Sequence, residues 1–72
     1  MEKPTWKAWA EGDSSSVREY ADGPYPERVA EKWVIDSDEA EGDEWIVVVR
    51  SPSGKETRCR VRAETVYRVH IL

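Results

Sequence analysis

Phenylalanine is absent from this 72-residue sequence, and cysteine, histidine and methionine occur once each. A single cysteine cannot close an internal disulfide. Cys59, set in an alternating segment, therefore reads as a small buried hydrophobe in a reducing, cytoplasmic compartment. One cysteine and one histidine cannot supply the three or four ligands of an ordinary zinc site. A lone His70, with no serine or cysteine nucleophile in a matching motif, gives no basis for general-base catalysis. Long apolar runs are missing too. The longest, Trp45 to Val49, falls far short of the about 20 residues a membrane-spanning helix needs, and Met1-Glu2-Lys3-Pro4 leads into no apolar stretch of the kind a secretory leader carries. Gly12, Gly23, Gly42 and Gly54 all fall at turns, not in a phosphate-binding loop. The acidic residues near position 40 do not form a calcium loop, which needs glycine at its sixth position and glutamate at its twelfth. Counted from Asp36, Gly42 is seventh and Val47 twelfth. No enzyme, cofactor or metal is expected, and no membrane partner.

What is present is charge and indole. Charged residues make up 36% of the chain, yet four Trp and three Tyr argue against full disorder. One small domain of this size has a thin core, so aromatic side chains must supply much of it. The net charge of −4 conceals an asymmetry. Residues 1–49 hold five Lys/Arg and thirteen Asp/Glu, for −8, whereas residues 50–72 hold six Lys/Arg and two acids, for +4.

Periodicity orders the elements. Thr5–Glu11 alternates as a strand, with Trp6, Ala8 and Ala10 on one face and Lys7, Trp9 and Glu11 on the other. Gly12 to Ser15 reads as a turn and Ser16–Ala21 as a short second strand. Pro26 suits the first position of a helix, and Glu27 suits its positive end. That helix is expected to run to about Ile35 with Val29, Ala30, Trp33 and Val34 on one stripe, and with one surface pair, either Arg28 with Glu31 or Lys32 with Asp36. Residues 36–44 carry six acids and read as a solvated loop. Glu44–Arg50 is a strand apolar on both faces, hence central or covered. Ser51-Pro52-Ser53-Gly54 fits a type I turn with a glycine bulge.

The turn dictates a register. With Ser51 opposite Lys55, Arg50 faces Glu56, Val49 faces Thr57, Val47 faces Cys59 and Trp45 faces Val61; a one-residue slip would bury Ile46 and Val48 instead. Lys55–Ala63 alternates, with Thr57, Cys59, Val61 and Ala63 inward and Glu56, Arg58, Arg60 and Arg62 outward. Val66–Leu72 resumes the pattern with Tyr67, Val69 and Ile71 on one face. No glycine, proline or asparagine separates the two stretches, so a single long strand bent by a bulge near Glu64 is expected.

Two surfaces emerge as candidate sites. One is a contact surface for a protein, built from the apolar outer positions Trp9, Ile46 and Val48 together with Asp38, Glu39, Glu41 and Asp43 of the acidic run. The other is a nucleic-acid face on which Lys7, Trp9, Arg58, Arg60, Arg62 and Arg68 would hold phosphate and base. The bland reading of that basic face is a solvated surface whose arginines pair with Glu11, Glu56 and the acidic loop.

The Pro-Glu-Arg-Val-Ala-Glu-Lys-Trp helix (26–33), the strand region before it and the bulged hairpin with an Arg/Val-alternating end resemble small uncharacterised proteins of bacteriophages, prophages and bacteria. In strand–helix–hairpin order alone the chain is similar to small phage proteins that inhibit host RNA polymerase. The resemblance implies no particular site residues. The expectation is an α+β domain spanning residues 1–72. A sheet of about four antiparallel strands carries one helix on one face, in β-β-α-β-β order. Its expected role is that of a non-enzymatic protein-binding adaptor or inhibitor, with nucleic-acid binding as the alternative, and it is expected to be a monomer or weak homodimer.

Overall fold

The computed structural model describes residues 5–37, 43–64 and 67–72. It comprises β1 (Trp6–Ala10), β2 (Asp13–Tyr20), α1 (Pro26–Asp36), β3 (Glu44–Arg50), β4 (Glu56–Arg62) and β5 (Arg68–Ile71). The strands form one antiparallel sheet in the order β2-β1-β3-β4-β5. α1 packs on one face of it and leaves the other open. This is the α+β class the periodicity predicts, with five strands instead of about four.

The β3–β4 hairpin has the expected register throughout, from Trp45 opposite Val61 to Arg50 opposite Glu56. Its turn is closed by the Ser51 N–H donating to Lys55 O at 2.8 Å and the Gly54 N–H donating to Ser51 O at 2.9 Å. Gly54 sits at φ +95°, a region that penalises any side chain with a Cβ. The register puts Val47, Val49, Cys59 and Val61 inward, each fully buried. The helix stripe meets them with Val29, Ala30, Trp33 and Val34, also buried. Trp6, Ala8, Ala10, Tyr20, Trp45, Tyr67, Val69 and Ala63 complete the core and its margin. Trp33 is the hub. Its ring stands edge-on to Trp45, with centroids 5.5 Å apart, and its indole N–H donates to Ser16 O at 3.0 Å, tying helix to β2. No side chain caps the helix at Tyr25; Pro26 occupies the first turn, where a backbone donor is dispensable. Arg28 and Glu31 form the expected surface pair at 3.4 Å.

Three expectations need correction. First, β5 lies antiparallel beside β4 instead of continuing it, with Val69 opposite Val61 and Ile71 opposite Cys59. The return covers β4 on its open side and brings two more β-branched residues to the core face. It needs no glycine at Ala63, whose N–H donates to Asp43 O at 2.8 Å, nor at Glu64, whose carboxylate holds Arg62 and Arg68. Second, β2 begins at Asp13. The β1–β2 turn takes only Glu11 and Gly12, because Gly12 adopts φ +85°. Ser16 Oγ accepts the Ala10 N–H at 2.9 Å across a register shift in β1. Third, the acidic run is not loop at its start: Asp36 closes the helix, while Glu44 opens β3 as the strand pattern predicts.

Gly23 matters for lack of bulk. A Cβ there would lie 2.5 Å from Val29 Cγ2 and 3.0 Å from the Trp6 indole nitrogen. Burial pushes the Cys59 thiol up to about 11, helped by the Glu27 charge, and burial beside Asp36 pushes the Tyr20 phenol up to about 12.

Denaturant titration should show Trp33→Ala losing about 3–5 kcal/mol and Gly23→Ala losing about 1–3 kcal/mol by overpacking. An unchanged midpoint for Trp33→Ala would refute the core assignment. Cys59 and Tyr20 both hold their protons more tightly folded than unfolded. Their contribution is therefore complete below pH 9.0, the ordinary thiol value, and is lost as pH rises through about 11 and about 12. In melting curves taken across alkaline pH, Cys59→Ala should blunt the first part of that loss.

Candidate functional site

The open face of the sheet gathers most of the residues singled out by sequence. Cross-strand register sets them in rows. Glu19, Lys7, Arg50 and Glu56 lie abreast across β2, β1, β3 and β4. The next row holds Trp9, Val48 and Arg58. Beyond it come Ile46, Arg60 and His70, and then Glu44, Arg62 and Arg68. All six predicted nucleic-acid residues thus share one face, and so do Trp9, Ile46 and Val48. Arg68 and His70 reach it through the β4–β5 reversal, not through a bulge.

Each cation on this face has a carboxylate. Lys7 Nζ lies 3.9 Å from Glu19. Arg50 Nε donates to Glu56 at 3.0 Å. Arg58 grips Glu11 through both Nε and Nη2, the second bond at 3.0 Å. Arg60 pairs with Glu44 at 3.0 Å, and Glu64 receives Arg62 at 3.0 Å and Arg68 at 2.9 Å. The fork onto Glu11 raises the Arg58 pKa, first by its hydrogen bonds and then by charge. Six cations therefore meet five carboxylates, and the surplus sits at the β4–β5 end, where Arg62 and Arg68 share Glu64.

The apolar patch is roofed by the same pairs. Val48 is only 8% exposed, and Trp9 and Ile46 are half-buried. The Arg50 guanidinium lies over the Trp9 ring at 5.4 Å. The Arg58–Glu11 pair crosses from β4 to the end of β1 beside Ile46 and Val48. Trp9 is thus part of the second face's own cover.

Of the acidic residues assigned to a partner contact, Asp43 is exposed beside β3 and its carbonyl accepts the Ala63 N–H. Asp38, Glu39 and Glu41 lie outside the described residues. The helix end is anchored separately: Arg18 donates to Asp36 O at 2.8 Å and the Tyr20 hydroxyl to the Asp36 carboxylate at 3.3 Å.

Sequence reasoning named Glu11, Glu56 and the acidic run, to which Glu44 belongs, as arginine partners, but missed Glu19 and Glu64. Extending the register one step beyond Trp45–Val61 places Glu44 opposite Arg62 and diagonal to Arg60. Glu64 required the reversal, for which no local signal exists.

Two clefts remain. One, of about 340 Å³, lies between the helix end and the β1–β2 hairpin, lined by Asp13, Ser16, Trp33, Ser37 and Trp45. The Trp45 indole N–H is buried with no acceptor among the described residues. The other, of about 540 Å³, opens between Pro26, Lys55, Ile71 and Leu72. Among the described residues no group of three or more His, Cys, Asp or Glu could hold a metal ion, and no helix is long and apolar enough to cross a membrane. No protein-family model, curated protein or solved structure matches the chain.

If Trp9 covers the sheet, Trp9→Ala should lower unfolding stability by about 1–2 kcal/mol, the value of a half-buried aromatic. Chemical denaturation checks this. A variant as stable as the parent would make Trp9 a free contact residue.

Proposed function

We propose that the chain is a non-enzymatic protein-binding domain, an adaptor or inhibitor, that meets a basic partner protein through the acidic run after α1. The observation carrying this reading is the neutralisation of the open face. Outside that face the sequence holds ten carboxylates and five cations, so the net negative charge belongs to the rest of the molecule. Of the five carboxylates on the face, only Glu44 comes from residues 36–44. Asp38, Glu39 and Glu41 add three charges within four residues, a density suited to drawing in lysine and arginine side chains.

The alternative, a nucleic-acid module, has the right residues on one face but not the right field. A polyanion would have to displace five carboxylates from arginines and lysine before gaining contact, and an overall charge of −4 opposes its approach.

Tryptophan fluorescence separates the two. Titration with an oligolysine peptide at low salt should quench saturably. Binding should weaken at least tenfold when Asp38→Asn, Glu39→Gln and Glu41→Gln are combined, and only slightly for Asp22→Asn, Glu27→Gln and Glu31→Gln together. Oligothymidylate should give a flat titration. Saturable quenching by oligothymidylate that disappears in Arg58→Ala/Arg60→Ala would replace the protein-binding reading with the nucleic-acid one.

A further inference from the structure

The sheet has two edges, and they differ. At β2 the ladder to β1 shifts register where Ser16 Oγ takes the Ala10 N–H, and Asp13 Oδ1 accepts the Ser15 N–H at 3.2 Å. Farther along β2, Arg18 reaches over to Asp36 O. At β5 the edge is regular. The Leu72 N–H donates to Arg58 O at 2.9 Å, so the pair Arg58–Leu72 is hydrogen-bonded. In an antiparallel ladder such pairs alternate. Arg68, His70 and Leu72 therefore spend their backbone groups on β4, and Val69 and Ile71 direct theirs to the open edge.

The side chains along this edge are sorted by face. On the helix side stand Val69, half-buried, and Ile71, 55% exposed, next to the cleft between Pro26 and Leu72. On the open side stand Arg68, with a side chain 70% exposed, and His70, with Arg62 and Arg60 in the rows behind them. Among the described residues, this is the place where two arginines share a single carboxylate.

The geometry points to β5 as a docking edge for an extended acidic peptide strand from another protein, one that alternates apolar and carboxylate residues. Its backbone pairs with Val69 and Ile71. Its apolar side chains extend the helix-side surface over Ile71, and its carboxylates fall on the open side beside Arg68 and His70, where they supply the charge that Glu64 alone does not. Main-chain pairing gives the affinity and the alternating side chains give the specificity. A second copy of this chain is a poorer occupant. Antiparallel pairing of two β5 strands brings the arginine-bearing open side of one, with Arg68 and the Arg60 and Arg62 rows behind it, toward that of the other, and like charges repel. This surface is distinct from the acidic run, so each can fail without the other.

The test is a nuclear magnetic resonance titration of the whole chain with an end-capped peptide alternating glutamate and valine. Lysine–valine and glutamine–valine peptides serve as controls. Saturable shifts and slowed exchange at the Val69 and Ile71 amides are expected, at least tenfold weaker for the glutamine peptide and absent for the lysine one. Arg68→Glu should weaken binding at least tenfold. Ile71→Pro removes an edge donor without touching the β4 ladder, so it should abolish the shifts while the remaining spectrum stays folded. Three outcomes would overturn the proposal: no shift up to millimolar peptide, shifts spread over the arginines but sparing Val69 and Ile71, or shifts at those two amides that follow protein concentration without peptide and so reveal a second copy at the edge.

Discussion

The β3–β4 register is the constraint on which the rest of the molecule depends. Side chains alternate along a strand, so one choice of pairing decides the fate of both faces. With Ser51 opposite Lys55, the inward set is Val47, Val49, Cys59 and Val61, and the outward set is Arg58, Arg60 and Arg62. A slip of one residue on β4 would drive three guanidinium groups against Val29, Trp33 and Val34. The desolvation cost of such burial exceeds the whole stability of a small domain. A short turn with a positive-φ glycine thus positions the core, the helix and the charged face at once.

That face is held by ion pairs of individually small value. Exposed pairs contribute about 0–1 kcal/mol each, and salt screens them. Their importance here lies in local neutrality. Cross-strand geometry supplies glutamates to Lys7, Arg50, Arg58 and Arg60, and Glu64 in the β4–β5 connection supplies Arg62 and Arg68, so the arginines that make the second half of the chain basic do not add up to an outward positive field. The same side chains lie over Trp9, Ile46 and Val48, which gives a sheet without a second layer a partial roof of its own. The asymmetry of charge in the sequence becomes neutrality on the open face and an acidic excess elsewhere.

Much of this was legible beforehand, because it rests on periods and turn chemistry. The stripe Val29, Ala30, Trp33 and Val34 follows from a 3.6-residue repeat, and the inward and outward sets of β1, β3 and β4 follow from a two-residue repeat anchored by Gly54. What escaped depends on distant partners. Between Ala63 and Tyr67 no residue signals a turn; the reversal is supported by Asp43 accepting the Ala63 N–H and by Glu64 spanning Arg62 and Arg68, contacts no local window contains. The early start of β2 has a similar origin. Asp13, Ser14 and Ser15 favour turns, but Gly12 reverses the chain so tightly that they are already in the strand. The residues of the basic face were gathered from sequence, whereas the neutralisation was only half seen, since Glu19 had no stated partner and Glu64 counts as a loop acid until the reversal is known.

The most direct test of the account is a set of cross-strand α-proton nuclear Overhauser contacts in the β3–β4 hairpin. Pairs that are not hydrogen-bonded bring α-protons close together in antiparallel sheets. The register predicts strong contacts between Ile46 and Arg60, Val48 and Arg58, and Arg50 and Glu56. Strong contacts from Arg58 or Arg60 to Val47 or Val49 would mean a slipped register. The buried set, the ion pairs and the neutral face would then all be contradicted together.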